Sequence, residues 1–129
     1  ADGWYSAEDE WDVGENGIAL QKAGVYVAFW ADEYQGTNDQ LMDSVLGGLR
    51  TEFDSFRALP PTPVTVAGDL PGLLVYFRGV TEWGDEENEV VVVSYGGVGV
   101  VMFAETLVGR LGWAQDDIDA MLSELVIPR

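Results

Sequence analysis

The residues of this chain whose types and spacing best suit a chemical role lie in one acidic segment, Glu82–Glu89, which reads Glu-Trp-Gly-Asp-Glu-Glu-Asn-Glu. Carboxylate and amide oxygens are the ligands of hard cations such as Ca²⁺. We interpret the segment as a loop, and its candidate metal ligands are Asp85, Glu86, Glu87 and Asn88. Its spacing does not match an EF-hand, and adjacent carboxylates cannot all face one ion. The alternative is a solvated hairpin tip whose charge deters edge pairing.

Aromatic residues beside acids form a second candidate site, for a protein partner. Trp4, Tyr5 and Trp11 stand among N-terminal acids, and Trp83 stands in the acidic segment. Aromatic rings next to carboxylates can bind basic peptides through cation–π and ionic contacts, or sugars through stacking. These four residues are therefore candidate partner-binding residues. The alternative is an acidic N-terminal segment, residues 1–10, that is loosely ordered or packs its aromatic rings on the domain edge.

The composition removes much of ordinary catalysis. The 129-residue chain has no His and no Cys, which excludes Ser-His-Asp and Cys-His catalysis, thiolate zinc sites and disulfides. The stretch Gly96–Gly99 lacks the lysine and the following helix of a phosphate-binding loop. A carboxylate-based hydrolase needs two acids at a cleft, but among 23 acidic residues some pair will always be close. We therefore predict a protein that is not an enzyme and has no cofactor, with Ca²⁺ left open.

The net charge of −17, from 23 acidic and six basic residues, limits the partners. Binding to nucleic-acid phosphates depends on clustered Lys and Arg, so no nucleic-acid binding is expected. Direct binding to anionic membranes is disfavoured for the same reason. A solvated, self-repelling surface explains the charge without any site, whereas a cation site or a protein partner with a basic surface are the functional alternatives. A high-salt organism would also produce such a surface.

Three apolar runs near the middle of the chain must position these residues. Leu73–Phe77, Val90–Tyr95 and Val98–Ala104 have strand length and are rich in β-branched and aromatic residues. Gly96 and Gly97 supply the positive φ angles of a two-residue hairpin turn. The runs predict a three-stranded antiparallel meander, and their continuous apolar character indicates that both faces of the sheet are covered.

Two amphipathic helices are predicted to cover the sheet. Thr37 and Gln40 can form a capping box, and an apolar stripe at spacings of three and four residues runs from there to about Arg57. The second helix is expected from Ala114, with two aspartates in its first turn. Three strands, the third at Val25–Ala31, precede the first helix, and four separate the helices. We predict an α+β fold, a twisted antiparallel sheet flanked by helices, as a single domain over residues 1–129.

This element order resembles the Mog1/PsbP-like group, an α/β/α sandwich found in photosystem-associated, nuclear-transport, chaperone and bacterial envelope proteins. The matching segments are Val25–Ala31 after an N-terminal hairpin, the helix near 38–57, Leu73–Phe77 after Val66-Ala67-Gly68, Val100–Ala104, and the closing helix with Met121–Ile127. The resemblance implies a member of the bacterial envelope or lipoprotein type that acts by binding another protein. It carries no residue motif, so no functional residue can be transferred.

We therefore expect a non-catalytic binding or accessory domain whose partner is another protein at the cell envelope. The chain opens Ala1–Gly3 without a Met, which suggests a removed targeting segment and an extracytoplasmic location. The alternative location is the cytoplasm of a halophile. The alternative functions are a Ca²⁺ or small-ligand binding protein, with Trp30, Trp83 and Trp113 around an apolar pocket, and a carboxylate-based hydrolase. The sequence leaves the oligomeric state open.

Overall fold

The computed structural model of the chain describes residues 4–6, 17–82, 84–107, 109 and 111–124. In this part of the chain the strands are β1 (Tyr5–Ser6), β2 (Gly17–Lys22), β3 (Val25–Glu33), β4 (Asp54–Ala58), β5 (Thr62–Val66), β6 (Leu70–Thr81), β7 (Gly84–Tyr95) and β8 (Val98–Leu107). The helices are α1 (Asn38–Leu49), between β3 and β4, and α2 (Leu111–Ser123), after β8. Among these described residues, no helix is long and apolar enough to cross a bilayer.

The strands form one antiparallel sheet whose order is β1-β2-β3-β8-β7-β6-β4. Strand β5 pairs with the first part of β6, and β4 pairs with its last part. The predicted meander is confirmed as β6, β7 and β8, the strands at the centre of the sheet. Gly96 and Gly97 form the β7–β8 turn with φ angles of 60° and 82°, a conformation that favours glycine.

One helix covers each face of the sheet, which confirms the predicted α+β architecture. Alternate valines of β7 point to opposite faces, so an unbroken apolar run serves two cores. The face under α1, here called the α1 face, joins Leu41, Met42, Leu46 and Leu49 to Val75, Phe77, Val90, Val92, Val101 and Phe103. The opposite face, the α2 face, joins Leu111, Ala114, Ile118 and Leu122 to Val25, Val27, Val91, Val93 and Met102.

Helix α1 begins as predicted and ends earlier. The Gln40 backbone N–H donates to Thr37 Oγ1 at 3.1 Å, and the Thr37 N–H donates to Gln40 Oε1 at 3.0 Å, which confirms the capping box. The prediction of one helix to about Arg57 is wrong, because α1 ends at Leu49 and a turn leads into β4. Five strands, and not the predicted four, therefore separate the two helices.

The last residues of the predicted helical stripe belong to β4 and the turn before it. The rings of Phe53 and Phe56 both contact Phe77 of β6, at centroid distances of 5.3 and 4.7 Å. Between them Ser55 has a φ of 53°, and the register of β4 shifts at this point. This irregularity turns both rings to the α1 face, so their spacing of three residues imitates a helix.

The acidic segment is a strand, so the prediction of a loop is wrong. Strand β7 begins at Gly84, and Asp85–Glu89 pairs with β6 on one side and with β8 on the other. Pairing on both sides satisfies the backbone hydrogen bonds of this segment despite its charge. Its carboxylates must therefore leave the strand alternately towards the two helical layers.

Helix α2 also starts earlier than predicted. It begins at Leu111 and not at Ala114, so Asp116 and Asp117 lie beyond its first turn. The acceptor for its first N–H groups comes from the sheet, because Glu87 Oε1 accepts the Leu111 N–H at 2.8 Å. A carboxylate at this position suits the positive end of the helix dipole.

The other end of α2 is also tied to the sheet. The Ala67 N–H, in the turn between β5 and β6, donates to the Leu122 carbonyl at 2.9 Å. A hydrogen bond near each end, together with the apolar contacts of Ile118, fixes α2 across the α2 face.

Candidate functional site

The first half of β7 distributes its polar side chains to two different sites. Glu86 and Asn88 lie on the α1 face and are 4% and 1% exposed, whereas Asp85 and Glu87 leave the strand on the opposite face. The four predicted metal ligands are therefore not brought together around one point. In the part of the chain that the structure describes, no group of three or more acidic, His or Cys residues is arranged to hold a metal ion. Ca²⁺ binding stays a prediction.

On the α1 face, the end of β6 and the turn after α1 border a cleft of about 380 Å³. We call it the acidic cleft, and its lining residues are Thr51, Glu52, Phe53, Asp54, Val80, Thr81, Glu82 and Glu105. Four of these eight residues are carboxylates. Glu105 comes from β8, next to Asn88 of β7 in the sheet register. Two further polar side chains, Glu86 and Asn88, therefore lie buried beside the cleft.

Glu86 and Glu105 form a pair of carboxyl groups at this cleft. Burial, the hydrogen bond to Glu86 and the negative charges of Glu86 and Glu52 raise the pKa of Glu105 to about 8. At neutral pH most of Glu105 is therefore protonated. The hydroxyl of Thr81 donates to Glu86 Oε2 at 2.9 Å.

Three buried polar atoms beside the acidic cleft lack a hydrogen-bond partner. They are Glu86 Oε1 and both side-chain amide atoms of Asn88, Oδ1 and Nδ2. An unpaired buried polar group costs about 1–3 kcal/mol, so such groups are rare in folded proteins and often mark a site for water or a ligand.

On the opposite face a second, larger cavity of about 470 Å³ opens between the sheet and the start of α2. We call it the α2-face pocket. Phe77 and Asn88 form part of its floor, and its walls are Arg57, Leu59, Tyr76, Arg78, Glu87, Leu111, Gly112 and Gln115. Arg57 and Arg78 are direct cross-strand partners, as are Arg78 and Glu87. The pocket therefore has a row of charged residues along one wall.

The carboxylate of Glu87 interacts more closely with the start of α2 than with the two arginines. Its Oε1 accepts the N–H groups of Leu111 and Gly109, at 2.8 and 3.1 Å. Its Oε2 lies 4.0 Å from Arg78 Nη2, the limit of an ion pair, and the Arg78 side chain is 68% exposed. Arg57 forms no ion pair with any carboxylate among the residues described here. Both guanidinium groups therefore remain open to an anionic group from outside.

A buried carboxylate lies next to this pocket. Glu89 is fully buried, its Oε1 accepts from Gln115 Nε2 at 3.0 Å, and its Oε2 has no partner. Burial raises the pKa of Glu89, against the hydrogen bonds of Gln115 and Tyr76, which lower it. Burial and the neighbouring Glu89 also raise the pKa of Tyr76 to about 12. The Tyr76 hydroxyl is thus a proton donor at every physiological pH.

The predicted partner-binding aromatics do not converge within the described residues. Trp4 is half-buried, packs on the α2-face core and donates from Nε1 to Asp117 Oδ2 at 3.0 Å. Lys22 Nζ donates to the same oxygen at 3.3 Å. Tyr5 pairs with β2 through its backbone. Trp11 and Trp83, with most of the segment 1–10, lie outside the described residues.

Of the tryptophans predicted to line an apolar pocket, Trp30 packs against the α1-face core. Sequence reasoning missed the residues that line the two cavities, above all Arg57, Arg78, Leu59 and Tyr76. The only sequence signal for the arginines was that basic residues are rare in this chain, six in all. The structure shows that two of these six, Arg57 and Arg78, are cross-strand neighbours. No signal in the sequence predicted that Glu105 would meet Glu86.

No family model and no curated protein sequence matches this chain. Solved structures do match. A protein of unknown function from Pseudomonas aeruginosa superposes with a TM-score of 0.68 at 13% identity, covering 92% of this chain and 88% of that one. The cyanobacterial PsbP of Synechocystis gives 0.62 at 9% identity, covering 94% and 81%. The Saccharomyces cerevisiae Ran-binding protein Mog1p gives 0.57 at 12% identity, covering 92% and 75%.

These similarities define the class: the chain has a Mog1/PsbP-like α+β fold, as its element order predicted. At such identities the similarity concerns the fold alone, so the argument for a function must come from the two cavities.

Proposed function

We propose that this protein is a non-catalytic accessory domain that binds a protein partner through the α2-face pocket. The observation that carries the proposal is the pocket itself, about 470 Å³ in volume, which combines exposed apolar side chains with two open arginines. Leu59 and Tyr76 are 63% and 37% exposed although large and apolar, and both line it. Its arginines stand out in a chain of net charge −17.

This combination is the usual chemistry of an interface anchor. Tyr and Arg are enriched at the residues that dominate protein–protein binding energy, and a concave apolar site excludes water around them. The partner segment that fits presents an apolar side chain to Leu59 and a carboxylate to Arg57 and Arg78. A protein-binding role also agrees with the fold, since one structural neighbour is a Ran-binding protein. We also propose that this binding takes place at the cell envelope, on the extracytoplasmic side.

Acid–base hydrolysis fits the structure less well. Glycosidases hold their two carboxyl groups apart, at about 5 Å or more, so that a sugar ring or a water molecule fits between them. Glu86 and Glu105 are instead hydrogen-bonded to one another. Such a pair leaves no space between its members for a substrate.

Photo-crosslinking in the producing organism tests the proposed function. A benzoylphenylalanine placed at Leu59 should capture one protein, whereas the same group at Ile18 should not. Ile18 is the matched control, because it is 51% exposed and apolar but lies in β2, towards the other edge of the sheet. Equal capture at both positions would contradict the proposal.

The captured partner, once purified, allows a second measurement. Arg57→Ala and Arg78→Ala should each weaken binding at least about tenfold, as expected for interface anchors. Arg50→Ala is the control, because Arg50 stacks over Phe56 at 5.3 Å, away from the pocket. Unchanged affinity in both pocket variants would show that the partner binds elsewhere.

A small ligand is the second candidate occupant of the same pocket. Its volume falls within the range of small-molecule sites, and Gln115 and Tyr76 offer polar groups at its wall. Thermal stabilisation of the purified protein by a small carboxylic acid, lost in Arg57→Ala, would favour this candidate over a protein partner.

A further inference from the structure

The acidic cleft on the α1 face is unused by the proposed function and lies on the other side of the same strands. We propose that it receives the guanidinium or ammonium group of an arginine or lysine side chain. This proposal rests on the proposed function in one respect only, which is that the side chain belongs to the protein partner. Strands β4 and β6 contribute to both cavities, so one partner at this end of the sheet can reach the two faces.

The charges around the cleft favour a cation. Glu52, Asp54, Glu82 and Glu105 line it, and no lysine or arginine is among its described lining residues. Carboxylates gathered without a counter-charge repel one another, and an incoming cation removes this repulsion. A guanidinium or ammonium group can donate to several of them at once.

The buried atoms beside the cleft point to the same ligand. Glu86 is bonded to Glu105 and Thr81, which both line the cleft, yet its Oε1 has no partner. Asn88 Oδ1 is likewise buried and unpaired, next to Glu105 in the register. Both atoms are hydrogen-bond acceptors, so a group with several N–H donors can satisfy these two, although not the donor Asn88 Nδ2.

The shape of the cleft favours a long side chain over a bare metal ion. The Phe53 ring lies beside the carboxylates in the lining of the cleft. Lys and Arg place methylene groups against such surface while the charged head reaches polar partners. A hard metal ion would gain nothing from the apolar wall, and the described residues offer no arrangement of three acidic ligands for it.

A cation must compete with the proton that Glu105 holds. Glu52, from the turn after α1, raises the pKa of Glu105, and Asp54 of β4 and Glu82, after β6, line the same cleft. From β3, Tyr26 is the cross-strand neighbour of Glu105. Raising the pH removes the Glu105 proton and makes the cleft more negative. Binding should therefore tighten as the pH rises from about 6 to about 8.

NMR titration of the purified protein tests the proposal without any partner. The probes are N-acetyl-arginine methylamide and its uncharged counterpart N-acetyl-citrulline methylamide, observed through the Asn88 side-chain amide. The arginine compound should shift this signal saturably and bind at least about tenfold more tightly than the citrulline compound. At about pH 8.5, where most of Glu105 is ionised, Glu105→Gln should weaken binding of the arginine compound at least about tenfold. Glu33→Gln, at an exposed acid near the opposite end of the sheet, should not.

Several outcomes would overturn this inference. Equal binding of the arginine and citrulline compounds would show that charge is not recognised. Equal effects of Glu105→Gln and Glu33→Gln would place the binding elsewhere. Saturable shifts with CaCl₂ but none with the arginine compound would make the cleft a metal site. Since the crosslink at Leu59 does not involve this cleft, failure here leaves the proposed function standing, and the reverse also holds.

Discussion

Replacing Glu105 with glutamine should change how stability depends on pH. Burial, the hydrogen bond to Glu86 and the nearby negative charge raise the pKa of Glu105 from 4.5 to about 8. Between these values the folded protein binds one proton more than the unfolded chain at this site. The stabilisation is therefore complete below about pH 4.5 and is lost as the pH rises through about 8.

The size of the effect follows from the same values. Where the folded state holds one extra proton, the free energy of unfolding falls by about 1.4 kcal/mol per pH unit. Over the full interval this gives an upper bound of ~5 kcal/mol for Glu105. Because the cleft admits water and the pair can relax, we expect on the order of 2 kcal/mol between about pH 5.5 and pH 8.5. Glutamine resembles the protonated acid and cannot lose this stabilisation.

Urea unfolding followed by tryptophan fluorescence, repeated across that pH range, measures the difference. The stability advantage of Glu105→Gln over the wild-type protein should grow as the pH rises from about 5.5 to about 8.5. The control is Glu33→Gln, an exposed acid that removes one negative charge without touching the pair. The reasoning is refuted if the two variants differ from the wild type by the same amount at every pH.

Three further predictions concern packing, the start of α2 and salt. Gly79→Ala should destabilise the protein by about 1–3 kcal/mol in urea unfolding, because the added Cβ would lie 2.6 Å from the Phe53 ring. Gly47→Ala, where α1 has open space, should instead stabilise the protein by up to about 1 kcal/mol, and equal effects of the two variants would contradict this packing. Glu87→Gln should lower stability by about 0.5–1 kcal/mol at low salt and less at high salt, because it removes a charge from the α2 N-terminus; an effect unchanged by salt would argue against the dipole. CaCl₂ and NaCl at matched ionic strength should raise the melting temperature equally, because both salts screen the net charge of −17. If only CaCl₂ raised the melting temperature, and Glu86→Gln abolished that rise, the calcium-binding hypothesis would be favoured again.

The parts of the fold that local chemistry decides could be predicted from the sequence. The capping box of Thr37 and Gln40 and the glycine turn at Gly96 depend on residues that are neighbours along the chain. The two-sided burial of β7 also followed from its unbroken apolar run. The helix boundary after Leu49 did not, because the irregularity at Ser55 gives the following phenylalanines a helical spacing.

The candidate sites could not be predicted, because tertiary contacts create them. Composition marked the segment from Glu82 to Glu89 as polar, yet pairing on both sides makes most of it a strand and divides its carboxylates between two faces. Glu105 meets Glu86 only through the register of β7 and β8. Arg57 and Arg78 become neighbours only because β4 returns to pair with β6. Such contacts between distant segments leave no periodic signal in the chain.

The two hydrogen bonds that tie α2 to the sheet also affect how a partner binds to the α2-face pocket. The Glu87 carboxylate holds one end of the helix, and the Ala67 N–H holds the other. A helix anchored in this way cannot slide along its axis, so the width of the α2-face pocket is set before any partner arrives. The domain therefore loses little conformational entropy when a partner binds. Binding then depends on whether the shape of the partner segment fits the existing pocket, and not on a rearrangement of the domain.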